Sequence, residues 1–329
     1  MKNEVFLDLT KILENDEDYI PEAYYRAVMD GGIHNGRQYL IPLLYSAPLF
    51  MGNEGELDRV GFDKSSVTDA ASLFDEVSRC LPYSTENPIF KQVFVASFSM
   101  QIKELFTMTG IRLLDYENDV ILPDEDVLRR YLETAAACFY ASGEDFDVDT
   151  YRSWMELWTG ELWFDDIMYL TDIAISINEL KKNNYGYESL MLESPHGGVS
   201  VSIACAAGIR ANSPNSENAY NFIKIISRRD FQNKAYADTY GSTFGAFYFP
   251  VLREVIKPHI HTAFSGKYSI EKEEKDVFIN YPESITHASF DMSGSPLHVK
   301  LWDIMRPYFI REASLDDCME ELRNFLPCI

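Results

Sequence analysis

Gly197-Gly198-Val199-Ser200-Val201-Ser202-Ile203-Ala204-Cys205-Ala206-Ala207-Gly208-Ile209-Arg210-Ala211-Asn212-Ser213-Pro214-Asn215 is the stretch on which the fold turns. Val199, Val201, Ile203 and Cys205 alternate with small or polar residues, and this period-two pattern predicts a strand with one buried face. Gly208 interrupts it, and Asn212-Ser213-Pro214-Asn215-Ser216-Glu217 then carries the chemistry of a helix start. Ser213 suits an N-cap, and Pro214 suits the first turn, where its fixed φ and missing N–H cost nothing. Ala219, Phe222, Ile223 and Ile226 follow at helical spacing, up to about Ser227. A strand therefore leads into an amphipathic helix through a short, polar connection.

The 329 residues are enough for two domains, and the 46% hydrophobic content is ordinary for a globular chain. Lys and Arg total 29 against 52 Asp and Glu, for a net charge of −23. Such a field repels phosphate backbones and anionic membrane surfaces, so no nucleic-acid partner is expected and a neutral ligand is. The five cysteines, Cys80, Cys138, Cys205, Cys318 and Cys328, form no CxxC pair and read as buried thiols. No apolar run approaches membrane-spanning length. Met1 to Asp8 contains no basic segment followed by an apolar stretch, and so reads by itself as a cytoplasmic start without a signal peptide.

Working outward, Asp8-Leu9-Thr10 opens a short helix, and Ile20-Pro21 opens another with Tyr24, Tyr25, Val28 and Met29 as its apolar stripe. Asn35-Gly36 is a hairpin turn signal feeding the strand Arg37 to Tyr45, whose Pro42 marks an edge or crossing strand. Asp69 to Phe74 and the segment from Pro123-Asp124-Glu125 read as helices, and Glu271 to Asp276 as a charged, solvated stretch. Ser314-Leu315-Asp316-Asp317 is close to a capping box, with Leu315, Met319, Leu322 and Phe325 or Leu326 as the stripe of a terminal helix. Trp154, Trp158 and Trp302 look like core by their helical spacing.

The run of strand, Gly-Ile-Arg-Ala-Asn-Ser-Pro-Asn, helix and Asp230-Phe231-Gln232 resembles the family 1 extracellular solute-binding proteins, the maltose-binding-protein-like sugar-capturing subunits of bacterial ABC importers. Asp8-Leu9-Thr10, Asn35-Gly36-Arg37-Gln38-Tyr39, Ile41-Pro42, Ile111 to Asn118 and the Ser-Leu-Asp start of the last helix follow the family's order. The resemblance implies an α/β, periplasmic-binding-protein-like type II fold with two lobes joined by crossing strands. Residues 1–45 and 208–256 would be the remnant of the first lobe, and 46–207 and 257–329 the second. The passages near Leu43, Ile203 and Phe249 would run side by side as a hinge. Relatives carry several βα units ahead of the Asp-Leu-Thr segment, which here stands at residue 8. The first lobe is therefore expected to be truncated, the chain being a fragment of a longer gene or completed by a separate polypeptide.

The same resemblance implies capture of a carbohydrate or similar small polar solute without catalysis and with no cofactor. The partners would be a sugar or oligosaccharide and the membrane permease subunits. The expected location is extracellular, as a membrane-anchored lipoprotein of a Gram-positive bacterium. A sugar site needs a stacking ring and a few carboxylate or amide acceptors in a concave pocket. Tyr45 at the first crossing, Trp163, Asp166 and Tyr169 after Gly160, and Tyr240 near the third crossing are the candidates. For each ring, core packing is the competing reading.

Other constellations are weaker. Asp145, Asp147, Asp149 and Glu156 have calcium-loop spacing, but Thr150 stands where that loop needs glycine. Asp165 and Asp166 are adjacent, and neighbours on a strand face opposite ways, so they cannot flank one glycosidic bond together. His259 and His261 lack a third ligand and read as solvated residues beside Pro258. No GxxxxGK[ST] loop is present, so the importer's ATPase is not in this chain. The alternatives to solute capture are a degenerate relative acting as an interaction protein, and an acidic carbohydrate-active hydrolase.

Overall fold

The computed structural model describes residues 5–46, 49–83, 109–115, 118, 120–141, 164–167, 170–237, 248–266, 269–290 and 296–328. Two compact units interleave along the sequence: Met1–Ala47, Met168–Ile175 and Gly198–Phe290 form the first, and Pro48–Ile167, Ser176–Gly197 and Asp291–Ile329 the second.

The first unit is built on a mixed four-stranded sheet ordered Phe249–Pro250, Leu40–Ser46, Val199–Gly208, Ile285–Phe290. The first two junctions are antiparallel, and the last is parallel. The passages near Leu43, Ile203 and Phe249 are neighbours in this sheet, because Tyr45 pairs with Phe249 on one side and with Ile203 on the other. Asn35 and Gly36 adopt φ of 49° and 70° between the short strands Ile33–His34 and Arg37–Gln38, the backbone that an Asn-Gly hairpin turn requires. Pro42 is accommodated because the register slips just after it, between Pro42 and Leu44, where a missing N–H removes no regular ladder bond.

Two expectations for the central stretch change. Val199 to Ile203 is buried at every position, Ser200 and Ser202 included, since the strand lies between two others and is covered on both faces. The helix begins at Ser216, not beside Ser213, and its N-cap is Asn215. The Ser213 hydroxyl instead accepts the Asn215 N–H at 3.3 Å, closing a local turn ahead of the helix. Ile223 faces the core, whereas Phe222 is 61% exposed. Gly198 has φ of +66°, and a Cβ there would meet the Thr286 side chain, so the glycine pair that opens the strand answers a backbone need.

Glu271 to Asp276, read as a charged, solvated stretch, is exposed or half-exposed and opens a helix. Lys272–Asn280 is a helix whose first turn is closed by a reciprocal capping box between Glu271 and Glu274, with Phe278 buried beneath it. His259 lies on the helix Arg253–Ala263, which continues through Pro258, and it is buried, not solvated; His261 is exposed.

The second unit holds an antiparallel sheet ordered Phe164–Ile167, Leu49–Asn53, Tyr187–Leu190. The middle strand is buried along all its length. The helix Ala70–Cys80 is capped by Asp69 and Ser72 and packs on Glu125–Ala141, with Phe74 edge-on to Tyr131 at 5.8 Å. Helices Pro296–Phe309 and Leu315–Phe325 complete it, with Trp302 in the core and the Ser314–Asp317 capping box in place. Cys80, Cys138 and Cys318 are buried thiols outside any disulfide and Cys205 is half-buried; burial pushes the Cys80 thiol up to about 11 and Cys138 up to about 12.

Candidate functional site

The five residues singled out from the sequence fall in different places. Tyr45 is fully buried in the first unit, its ring stacked on Phe249 at 5.6 Å and edge-on to Tyr25 at 6.4 Å. Asp166 lies on the strand Phe164–Ile167, where its backbone pairs opposite Phe50. Trp163, Tyr169 and Tyr240 lie outside the described residues, as does the Asp145–Glu156 acidic run. Among the described residues no three His, Cys, Asp or Glu side chains converge on a metal-sized site, and no helix is long and apolar enough to cross a membrane.

One concave feature that the first unit builds from its own residues was not anticipated. The turn Pro21–Ala23 and the helix Ser216–Ser227 border a cavity of about 220 Å³, with Leu252 and Glu254 contributing from the start of a third element. Tyr19 and Tyr24 stack at 5.5 Å and 27° along its wall. Proline at the head of the 21–23 turn and the extended backbone at Tyr24 set this pairing, since a continued helix would splay the two rings apart.

The polar side of the cavity is organised by Asp16. Its carboxylate accepts the Tyr220 hydroxyl at 2.6 Å and Lys224 Nζ at 2.9 Å; Lys224 also reaches Asp18 at 3.0 Å. Burial alone would raise the Asp16 carboxyl, but the bonds from Tyr220 and Lys224 outweigh it and hold the group below its ordinary value. Burial pushes the Tyr19 hydroxyl up to about 12, with Tyr24 adding to the effect, and burial raises Tyr24 as well. Both phenols thus stay neutral donors at physiological pH. Arg229 pairs with Glu254 at 3.3 Å. Ser227 lines the cavity, and its buried Oγ finds no partner among the described residues.

No sequence pattern marks this grouping, because Asp16 and Tyr220 stand 204 positions apart. The available local signal was the density of tyrosines between Tyr19 and Tyr25.

Solved structures answer for the architecture. The chain overlays the sugar-binding protein MalE of Xanthomonas citri with a TM-score of 0.67, at 13% identity, over 97% of this chain and 78% of that one. An extracellular solute-binding protein family 1 member from Alicyclobacillus acidocaldarius overlays with a TM-score of 0.63, at 13% identity, over 99% and 80%. The cyclic α-maltosyl-1,6-maltose binding protein of Arthrobacter globiformis does so with 0.62, at 14% identity, over 98% and 79%. The fold is periplasmic-binding-protein-like, type II. No family model and no curated protein sequence matches the chain. The agreement is therefore one of architecture, and it coincides with the resemblance read from the Ser-Pro-Asn stretch.

Proposed function

We propose that this chain is the substrate-binding component of an ABC-type importer, capturing a carbohydrate or similar small polar solute without chemically changing it. The observation that carries the reading is the overlay of nearly the whole chain on proteins described as sugar- or solute-binding. The net charge of −23 supports a neutral solute over an anionic one. Trp163, Asp166, Tyr169 and Tyr240 are the proposed contacts, the rings stacking on sugar C–H faces and the carboxylate accepting hydroxyl hydrogens. Tyr45, with its ring buried against Phe249, we assign to packing of the strand that carries it. An extracellular lipoprotein location and hand-over to permease subunits belong to the same reading.

A thermal-shift screen against mono- and oligosaccharides, with chromatography of the recovered sugar, tests it. A bound sugar at a hundredfold excess over its Kd should stabilise the fold by about 2.7 kcal/mol and be recovered intact. Cleaved sugar would mean a hydrolase. Absence of a shift with every sugar would remove the binding reading.

A further inference from the structure

The cavity beside Tyr19 and Tyr24 is contained in the first unit and is not among the contacts proposed above. Its charges balance: Asp16, Asp18 and Glu254 stand against Lys224, Arg228 and Arg229. A phosphate there would face three carboxylates and an ammonium ligand three cations, so both are disfavoured and a neutral ligand is favoured. Asp16, Asp18 and Lys224 satisfy one another, and Arg229 is taken up by Glu254. The Arg228 guanidinium, by contrast, has no carboxylate partner among the described residues. The Tyr19 and Tyr24 hydroxyls likewise have no hydrogen-bond partner there. Two stacked rings form a stiff apolar platform with polar tips, the surface on which a sugar ring lays its C–H face. At about 220 Å³ the space is smaller than the pockets of roughly 300–1,000 Å³ that hold drug-sized molecules, and it suits one ring, not a chain of them.

We propose that this cavity is an accessory carbohydrate site taking a single neutral pyranose-sized residue, free or at the end of an oligosaccharide. The ring stacks on the Tyr19–Tyr24 pair, and its hydroxyls bond with the two phenols and with Arg228. The choice of sugar among neutral polyhydroxy ligands rests on the function proposed above.

Hydrogen–deuterium exchange and calorimetry on the full chain, with glucose and with maltotriose, test the site. Sugar should slow exchange in residues 16–24 and 220–229, and Tyr24→Ala should weaken the corresponding binding event about tenfold. Tyr24→Phe, which keeps the ring, should weaken it less. If Tyr24→Ala fails to fold, Arg228→Ala at an exposed position should weaken the same event several-fold. Sugar binding that leaves both segments unprotected and is indifferent to these substitutions overturns the accessory site while leaving solute capture standing. Absence of any sugar binding overturns both.

Discussion

Tyr45 and Phe249 sit opposite one another across an antiparallel junction, and their rings lie 5.6 Å apart at 23°. The shortest strand of the sheet, Phe249–Pro250, thus meets its neighbour through this stack as well as through backbone pairing. Both rings are almost wholly buried, and the Tyr281 ring lies tilted against Phe249 at 6.1 Å. Tyr45→Ala or Phe249→Ala should therefore cost about 3–5 kcal/mol. A double-mutant cycle in urea should show coupling of about 0.5–1.5 kcal/mol, and additivity would show that the stack contributes nothing beyond burial.

His259 is buried on the helix Arg253–Ala263, and burial lowers its pKa from 6.5 to about 4 against a raising hydrogen bond with the Tyr248 backbone. The unfolded chain binds this proton near 6.5 and the folded chain only near 4. Between those values the unfolded state holds more protons, so stability falls as the pH drops from about 7 to about 4 and then levels. The loss should approach about 3 kcal/mol. His259→Phe should flatten that part of the stability–pH curve, and an unchanged slope would place the acid sensitivity elsewhere.

In the second unit Asp124 is buried and accepts three bonds from Arg112, from the backbone N at 2.8 Å, Nη2 at 3.0 Å and Nε at 3.3 Å. His196 Nε2 lies 2.9 Å from the same carboxylate. Burial would raise the Asp124 carboxyl, but Arg112 and His196 outweigh it and depress its pKa. Asp124→Asn should destabilise the unit by about 1.5–3 kcal/mol at neutral pH, because the buried acceptor of the Arg112 bonds loses its charge while the half-exposed guanidinium keeps its water. The depressed carboxyl contributes stability above its ordinary value of 3.8 and loses it as the pH falls through the folded value. The gap between wild type and variant in denaturant melts should therefore shrink below that pH, and a gap independent of pH would mean the charge is irrelevant.

Ser314 accepts the Asp317 N–H at 3.1 Å and its own N–H donates to the Asp317 carboxylate at 3.2 Å. Ser314→Ala should cost about 1 kcal/mol and Ser314→Gly a few tenths. An unchanged stability of Ser314→Ala in chemical denaturation would show that the side-chain oxygen contributes nothing as a cap.

The local features were legible where partners lie within a few residues of each other. The cap at Ser314, the Asn35-Gly36 turn and the strand ending at Gly208 follow from spacing and glycine chemistry alone. Ser213 misled because its hydroxyl could serve either a helix start or the turn before it, and the turn took it. Glu271 to Asp276 is solvated, as its charge implies, but composition alone did not mark it as the first turn of a helix. Of the candidate ligand contacts, Tyr45 alone has a described side chain, and it is core. The Tyr19–Tyr24 cavity left no pattern to find, since its walls come from residues on opposite sides of some two hundred positions.

By itself, the sequence determined the strand-to-helix units, the cap of the terminal helix and the order of the elements, because propensity, periodicity and capping act over one or two turns of chain. The tertiary structure alone decided which strands became neighbours, that Val199 to Ile203 lost both faces to the core, and that His259 was cut off from water. Burial depends on what is packed over a residue. The covering segments come from far along the chain, where no local spacing can register them.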